Sequence, residues 1–565
     1  MTQVGIAHYK SFWIWYIMMV FGMVLAAVPG FLLAPYSINV FDEPYQILNA
    51  MEWESAVYSP LSSWSAHWFG ILFNWKYLAF RYLALTLNLL GILIAASYAF
   101  YCSRQKITII VSSILCSLLG MTFRGTSNYY GWDNLTILTL SICVVLFFSL
   151  LKKFSWNKLI WLAITCTITT FMRIPNGVVF IFTILIFLCR WRINKNSLLR
   201  IVIFSSIYIL VSYLIISLLY GDIATYHETL KQNSINDHSI FILLKSQGYR
   251  FVLSLFFAFV FYLLYRWLGF TAIKTPGLKN IVIVVIAIIM GGCILFGDGA
   301  FGFPLRTGPT SALGLLLFSY FILFLDAKRT HNTVLISELL VLFLFSAAAG
   351  IGSNIGYAKS MIWPCIPLII LLFNNQFTWK LRTVFITWSA AYFVYSLVGI
   401  KQYNFDDRGL SQLTYKFEDR SFVLHDMYTH PERGQFIENL YNEAKPYVEK
   451  GFLPIVLKAG NEYMWEYFFL TPNMHQRHNF CDWYAFWDAT YVEDVRNDIM
   501  KSTQPVIIIY RQIIDTENIT PMLRMLRKNT VCIMSKPGYS FWMKKEDIPA
   551  DTTPLAEPII FPENR

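Results

Sequence analysis

Long apolar runs separated by short polar connections dominate residues 1–400. Thirteen of these runs approach or reach the length that predicts a membrane-crossing helix. Their approximate bounds are 12–33, 78–101, 107–121, 134–151, 158–171, 177–190, 199–219, 251–269, 280–297, 309–325, 333–350, 361–374 and 383–400. The first run has no small-residue cleavage site near its end, so we expect a retained helix rather than a signal peptide. The pattern predicts an α-helical polytopic membrane protein.

Residues 401–565 follow a different pattern, in which short strand-like runs alternate with helix-like ones. The strand-like runs are Leu453 to Leu457, Val506 to Tyr510 and Val531 to Met534, and the helix-like runs are Gln435 to Lys450 and Thr520 to Arg527. This alternation predicts a small α/β domain. We therefore expect two domains, a transmembrane domain over residues 1–400 that includes a long loop at 34–77, and a soluble domain over residues 401–565.

Composition and charge support this division. The chain is 56% hydrophobic and 14% charged, which is typical of a protein with many membrane spans. Residues 1–400 contain 26 basic and 11 acidic residues, whereas residues 401–565 contain 19 and 23. The net charge of +11 does not indicate nucleic-acid binding, because the basic residues lie in short clusters between apolar runs. We therefore expect no nucleic-acid partner.

The basic clusters also predict sidedness. They fall on alternate connections, which the positive-inside rule assigns to the cytoplasm. The clusters are Lys10, Arg104/Lys106, Lys152/Lys153/Lys158, Arg190/Arg192/Lys195, Lys274/Lys279, Lys328/Arg329 and Lys380/Arg382. With thirteen spans, the N-terminus is then cytoplasmic, and residues 401–565 share the outer face with the 34–77 loop. That loop is rich in tryptophan, which predicts helices lying in the membrane interface.

The adjacent acids Asp42 and Glu43 are the first candidates for chemistry. Acids are rare in residues 1–400, and carboxylates close to lipid are costly, so such a pair indicates function. Either carboxylate could act as a general base on an acceptor hydroxyl, because partial desolvation raises its basicity. Alternatively, the pair caps an interfacial helix at its N-terminus. The residues alone do not distinguish Asp42 from Glu43 as the base.

Asp133 is the second candidate, because it lies where an outer loop enters a helix. Arg124, Tyr129, Tyr130 and Trp132 precede it closely, and this is the composition of a pocket edge. N-terminal capping is the alternative interpretation, and the two roles are compatible.

Five cations on the predicted outer face form a third candidate, a phosphate site. Their position opposes the positive-inside bias, so a negative partner is expected. Lipid headgroups explain any one of them, but several together indicate phosphate. Backbone N–H groups of the glycine-rich stretch 350–357 would add donors to the same anion. The five cations are Arg81, Arg124, Arg173, Arg306 and Lys359.

The cysteines and histidines show no metal-binding spacing, so we expect no metal cofactor. Cys481 and Cys532 are the only cysteines after residue 400. They could pair if that domain faces an oxidising compartment, and the sequence leaves this open.

In their order and spacing, these residues resemble the GT-C superfamily, the polytopic glycosyltransferases that use polyprenyl-phosphate sugars. The similar features are the Asp-Glu-x-Tyr motif at 42–45, Arg81 at the head of the second membrane helix, Asp133 opening the fourth, Arg173-Ile-Pro-Asn-Gly177, and Lys359-Ser-Met-Ile-Trp-Pro before the twelfth. Thirteen helices and an outer C-terminal domain are similar to the branch of protein O-mannosyltransferases and lipid A aminoarabinose transferases. Arg173 departs from that branch, which often has Lys there, and Pro60 stands where the branch has paired prolines.

The resemblance implies an inverting sugar transfer at the outer face of a bacterial inner membrane. Asp42 would deprotonate the acceptor hydroxyl, while Glu43 and Asp133 would hold hydroxyl groups and orient the base. The five cations would bind the phosphate of the lipid-linked donor, and no metal would be needed. The substrate pocket would include Tyr45, Tyr129, Tyr130, Trp132 and Asn354. The expected partners are the polyprenyl-phosphate sugar, membrane lipids and an acceptor glycan, lipid or protein.

A transporter or flippase of a lipid-linked or anionic substrate is the alternative function, with the same cations lining a translocation path. Charges in the middle of helices would favour it, whereas most charges here lie at predicted helix ends. A membrane-anchored scaffold is a third class, but it leaves the acids without a role.

Overall fold

A computed structural model describes residues 3–38, 42–122, 130–190, 195–232, 240–268, 285, 307–350, 361–373, 378–404, 407–458, 489–511, 521–550 and 552–555. These residues form helices at twelve of the thirteen positions where the sequence predicts a membrane span. The predicted helix at 280–297 lies outside them, apart from residue 285.

The helices before residue 403 are mostly long and apolar, with a few shorter helices in the connections. Their bounds are α1 (Gln3–Leu33), α2 (Asp42–Met51), α3 (Pro60–Leu72), α4 (Tyr77–Cys102), α5 (Lys106–Thr122), α6 (Trp132–Lys152), α7 (Trp156–Met172), α8 (Val178–Arg190), α9 (Lys195–Tyr220), α10 (Ile223–Gln232), α11 (Ile240–Leu268), α12 (Thr307–Arg329), α13 (Thr333–Gly350), α14 (Ile362–Phe373) and α15 (Trp379–Gln402). A 3-10 turn, Ile174–Gly177, leads into α8.

Eight of the described helices are long and apolar enough to cross a membrane, and three shorter apolar segments accompany them. The exposure of α9 is informative, because its mean hydropathy reaches 2.4 while only 6% of that window is buried. Such an apolar surface requires lipid around it. By contrast, 67% of the corresponding window of α6 is buried at the centre of the bundle. The predicted class, an α-helical polytopic membrane protein, is confirmed.

Aromatic rings and glycines pack the bundle. The ring of Phe147 on α6 lies 5.8 Å from Phe345 on α13 and 5.4 Å from Phe187 on α8. At Gly314 on α12, a Cβ atom would lie 2.4 Å from the Cβ of Phe257 on α11, so the two helices can approach this closely only because Gly314 has no side chain.

The two helices of the 34–77 loop have different surroundings. Most side chains of α2 are buried, so protein covers this helix. α3 exposes a row of apolar side chains, including Trp68 at 54% and Leu72 at 75%. This is the exposed apolar face that an interfacial helix needs.

The C-terminal region is built from strands and helices. Their bounds are β1 (Tyr403–Asn404), β2 (Asp407–Arg408), β3 (Tyr415–Lys416), β4 (Tyr428–Thr429), α16 (Pro431–Glu449), β5 (Leu453–Lys458), α17 (Ala489–Lys501), β6 (Val506–Arg511), α18 (Pro521–Asn529), β7 (Thr530–Lys536) and β8 (Tyr539–Lys544). β5 to β8 form one sheet in the order β5-β6-β8-β7, in which the β5–β6 pair is parallel and the other pairs are antiparallel. Alternate side chains of the central strands enter two separate cores, so both faces of the sheet are covered.

One of these cores also contains residues of the membrane part. Ile47 of α2, Tyr77 of α4 and Tyr130 are buried in the same cluster as Phe422 and Leu424 of the C-terminal region. The 34–77 loop and the C-terminal region therefore share a hydrophobic core.

Candidate functional site

A buried ion pair joins the 34–77 loop to α4. The Arg81 Nη2 atom lies 2.9 Å from Oε2 of Glu43, and Nε lies 3.1 to 3.2 Å from both carboxylate oxygens. Arg81 is 3% exposed and Glu43 is 0% exposed. Several short hydrogen bonds between buried charges give this contact both strength and a defined geometry.

The remaining face of the Arg81 guanidinium is occupied by backbone carbonyls. Nη1 donates to the carbonyl oxygens of Ala34 at 2.8 Å, Tyr36 at 3.2 Å and Ser37 at 2.9 Å. These residues follow α1 directly, so Arg81 ties the end of α1 to α2 and α4. The sequence predicts Arg81 as a phosphate ligand, whereas the structure gives its guanidinium partners within the protein.

Glu43 has a second partner, because its Oε1 accepts a hydrogen bond of 3.1 Å from the backbone N–H of Tyr130. This bond brings the residues before α6 to the start of α2. Asp42 is the first residue of α2, and its side chain lies outside the described part of the chain. The side chain of Glu43 is thus held inside the protein, which differs from the substrate contact predicted for it.

Asp133 and Arg173 form a second, looser pair. Nη1 of Arg173 lies 3.8 Å from Oδ1 of Asp133 and donates to the carbonyl of Ala349 at 3.3 Å. Arg173 is 3% exposed and Asp133 is 8% exposed. The pair joins the start of α6, the end of α7 and the end of α13, so the structure brings together two predicted site residues that lie 40 positions apart. The hydroxyl contact expected of Asp133 and the phosphate contact expected of Arg173 stay predictions.

Capping does not explain Asp133. The helix α6 begins after Gly131, whose N–H donates to Oδ1 of Asn134 at 2.8 Å. Asp133 is instead a first-turn acid, a position that the helix dipole favours. The interpretation of Asp133 as the capping residue itself is therefore replaced by an ion pair beside the cap.

Buried asparagines extend this arrangement, and the sequence pattern does not single them out. Asn134 Nδ2 donates to Oδ1 of Asn88 on α4 at 3.2 Å. Asn176 Nδ2 donates to Oγ1 of Thr136 at 3.0 Å and to the carbonyl of Thr169 at 3.1 Å. Because buried amides need partners, these bonds fix the 173–177 turn against α6. An asparagine within or beside an apolar run is the signal that would have identified them.

The predicted pocket tyrosines that are described lie in packed surroundings. The Tyr130 ring is 5.0 Å from the ring of Phe80 and is 2% exposed. Burial raises the pKa of Tyr130, so its hydroxyl remains protonated. Tyr45 is half-buried against the shared core.

Several predicted site residues fall outside the described part of the chain, namely Arg124, Tyr129, Arg306, Asn354 and Lys359, and the same holds for the Trp132 side chain and for Cys481. Their predicted roles stay predictions. Among the described residues, no group of three or more His, Cys, Asp or Glu side chains could hold a metal ion.

Glu52 is a third acid of the same loop, and the sequence pattern does not mark it. It follows α2 directly and is 7% exposed. Burial raises the pKa of Glu52 from 4.5 to about 8. A carboxyl group in this state carries its proton near neutral pH.

Fold and site together define a polytopic helical membrane protein. Two buried pairs of an acid and an arginine lie at the helix ends that the sequence predicts to face outward.

Two solved structures align with most of the chain. ArnT from Cupriavidus metallidurans in the apo state has 11% sequence identity and a TM-score of 0.45, with 92% of this chain and 97% of that chain covered. The same protein bound to undecaprenyl phosphate has 12% identity and a TM-score of 0.43, with 95% and 99% covered. No protein-family model and no curated protein sequence matches the chain.

Proposed function

We propose that the protein is an inverting glycosyltransferase that moves a sugar from a polyprenyl-phosphate donor to an acceptor hydroxyl at the outer face of the membrane. One observation carries this proposal beyond the motif resemblance. Glu43 is fully buried and bound to Arg81, so it cannot approach a substrate without breaking that pair. Asp42 is then the carboxylate of the pair that serves as general base.

The reaction needs one proton transfer and one displacement. The Asp42 carboxylate takes the proton of the acceptor hydroxyl, and the acceptor oxygen attacks the anomeric carbon from the face opposite the phosphate. The bond between the anomeric carbon and the phosphate oxygen breaks, and polyprenyl phosphate leaves with the electron pair. This inverts the anomeric centre.

Negative charge grows on the phosphate as it leaves, so cations near it stabilise the transition state. Arg173 is the described cation best placed for this role, because its contact with Asp133 is longer than the Arg81–Glu43 contact. Arg124, Arg306 and Lys359 are the further cations that we propose for the donor phosphate. Arg81 acts on the reaction through Glu43.

Translocation of a lipid-linked substrate is the second candidate, and one observation favours it. Glu338 is a buried carboxylate inside α13, and acids within membrane helices often lie on substrate or ion paths. This function does not require Asp42 as a base, so one substitution separates the two candidates.

The test is Asp42→Asn, with Glu54→Gln as the matched control, since Glu54 is an exposed acid of the same loop. Removing the base is expected to lower transfer by about 10²- to 10⁴-fold, whereas the control keeps wild-type transfer. Transfer is measured by mass spectrometry of surface glycans in cells that carry each variant. Binding of undecaprenyl phosphate to the purified protein, as a donor analogue, is expected to persist in Asp42→Asn. Wild-type glycans in cells with Asp42→Asn would contradict the proposal and favour translocation.

A further inference from the structure

The C-terminal region contacts the chain at the point where α1 ends. The N–H of Tyr428 donates to the carbonyl of Pro35 at 2.8 Å, and the N–H of Ser37 donates to the carbonyl of Tyr428 at 2.7 Å. The rings of Tyr36 and Tyr428 are stacked, with their centroids 4.7 Å apart. Residues 35–37 are thus paired with a strand of the C-terminal region.

The same residues hold Arg81. The carbonyls of Tyr36 and Ser37 accept hydrogen bonds from Nη1 of Arg81. Ser37 has a φ angle of 76°, in the left-handed region that is costly for a residue with a side chain. Its N–H is bonded to Tyr428 and its carbonyl to Arg81, so contacts on both sides maintain this conformation. Tyr428 therefore helps to direct the Ser37 carbonyl at Arg81.

A second contact fixes the start of α4, the helix that carries Arg81. The N–H of Tyr77, the first residue of α4, donates to the carbonyl of Val423 at 3.0 Å. Lys76 Nζ donates to the carbonyl of Phe422 at 2.8 Å. Segment 420–423 thus provides an acceptor for a backbone N–H of the first turn of α4, which has no acceptor within the helix, and another acceptor for the Lys76 ammonium group.

The segment that makes these contacts is held in place by strand pairing and by burial. β3 and β4 pair in antiparallel register, and Asp426 N–H donates to the carbonyl of Phe417 at 3.0 Å between them. Leu424 and Met427 are fully buried in the core that contains Tyr77 and Phe80. We call residues 415–429 the latch segment.

We propose that the latch segment positions the catalytic carboxylate through a continuous series of contacts, with Tyr428 as its positioning residue. The series runs from Tyr428 to Ser37, then to Arg81, then to Glu43, which adjoins Asp42 in α2. This inference rests on the proposed function, in which Asp42 is the base. It assigns the C-terminal region a role in the geometry of the site.

Tyr428→Ala tests the series by removing the ring that stacks on Tyr36, so that residues 35–37 are held to Tyr428 only by the two backbone hydrogen bonds. Tyr428→Phe is the conservative variant, because the phenylalanine ring can keep the stack. A displacement of the Asp42 carboxylate by up to about 1 Å is expected to lower transfer roughly tenfold to a hundredfold. Binding of undecaprenyl phosphate should stay within about twofold of wild type, since the loss concerns the reaction and not the binding step. Tyr428→Phe should restore transfer. Arg496→Ala, at a surface ion pair on α17, is the control in the same region and should change neither quantity.

Hydrogen exchange gives a readout that does not depend on activity. In Tyr428→Ala, amide exchange is expected to rise in a peptide that covers α2 (Asp42–Met51), while strand β6 (Val506–Arg511) remains protected. If β6 also loses protection, the substitution has disturbed the C-terminal sheet as a whole. Tyr36→Ala then replaces Tyr428→Ala, because it removes the same ring stack through the residue that follows α1.

Unchanged exchange in α2 would overturn the positioning role, as would wild-type transfer by Tyr428→Ala. A wild-type protein with no transferase activity would refute the proposed function, whereas the exchange experiment would still decide whether the latch segment fixes α2. The two failures are therefore distinguishable.

Discussion

Asp42 and Glu43 are adjacent in the sequence, but we propose different roles for them. Glu43 is buried and paired with Arg81, which leaves Asp42 as the proposed base. The sequence indicated an acidic pair near the membrane, but it could not assign the roles, because Arg81 lies 38 positions away and no local pattern predicts the contact.

Removing Arg81 should destabilise the protein strongly. Arg81→Ala leaves the Glu43 carboxylate buried without its counter-charge, which typically costs about 3–5 kcal/mol of unfolding free energy. Lys445→Ala breaks the partly exposed pair with Asp419 and should cost less than about 1 kcal/mol. Unfolding in detergent gives the unfolding free energy of each variant. Equal losses of free energy in Arg81→Ala and Lys445→Ala would contradict a structural role for the Arg81–Glu43 pair.

Glu52 should make stability depend on pH. Its folded-state pKa of about 8 exceeds the ordinary value of 4.5, so the protonated group favours folding below pH 4.5. That contribution is lost as the pH rises to about 8, where the buried carboxyl ionises. Glu52→Gln cannot ionise, so its unfolding free energy should fall less than that of wild type between these pH values. Glu54→Gln should keep the wild-type slope, and parallel curves for Glu52→Gln and wild type would refute the assignment.

At the scale of elements, apolar runs predicted the membrane helices because each run is long and continuous. Boundaries were less predictable where polar residues interrupt a run. α11 begins at Ile240 rather than near 251, since Lys245 and Gln247 break the apolar pattern but are good helix formers. Strand β8 was missed, because all its positions are buried and no polar alternation marks it.

Close packing of α11 and α12 gives a prediction at this scale. Gly314→Ala would place a Cβ atom 2.4 Å from Phe257 and 2.9 Å from the carbonyl of Ser254, so the helices must separate. We expect a loss of about 1–3 kcal/mol in unfolding free energy. Gly248→Ala is the control, because nothing lies within 4 Å of a Cβ there and alanine favours a helix. A Gly314→Ala protein as stable as Gly248→Ala would contradict this packing.

At the scale of the whole molecule, charge clusters predict which side each connection faces. Cys189 offers a direct test, because its thiol is exposed at the end of α8, beside a basic cluster assigned to the cytoplasm. A membrane-impermeant thiol reagent should label Cys189 in inverted vesicles but not in intact cells. An introduced cysteine at the exposed Lys450 should show the opposite pattern.

The protein Cys189→Ser, which lacks this thiol, provides the background for both measurements. Labelling of Cys189 from outside, or of a cysteine at position 450 only from inside, would reverse the topology and place the proposed site on the cytoplasmic face.

The core shared by the 34–77 loop and the C-terminal region also has a consequence for biosynthesis. Lys76 and its partner Phe422 are separated by 346 positions. At about 5–20 residues per second, the ribosome reaches the second of them roughly 17–70 s after the first. Asp42 and Glu43 are therefore synthesised early, well before the C-terminal segment around Phe422 that completes the shared core. A nascent chain halted before the latch segment carries every membrane-proximal acid of the site, yet it lacks the contacts that we propose align them.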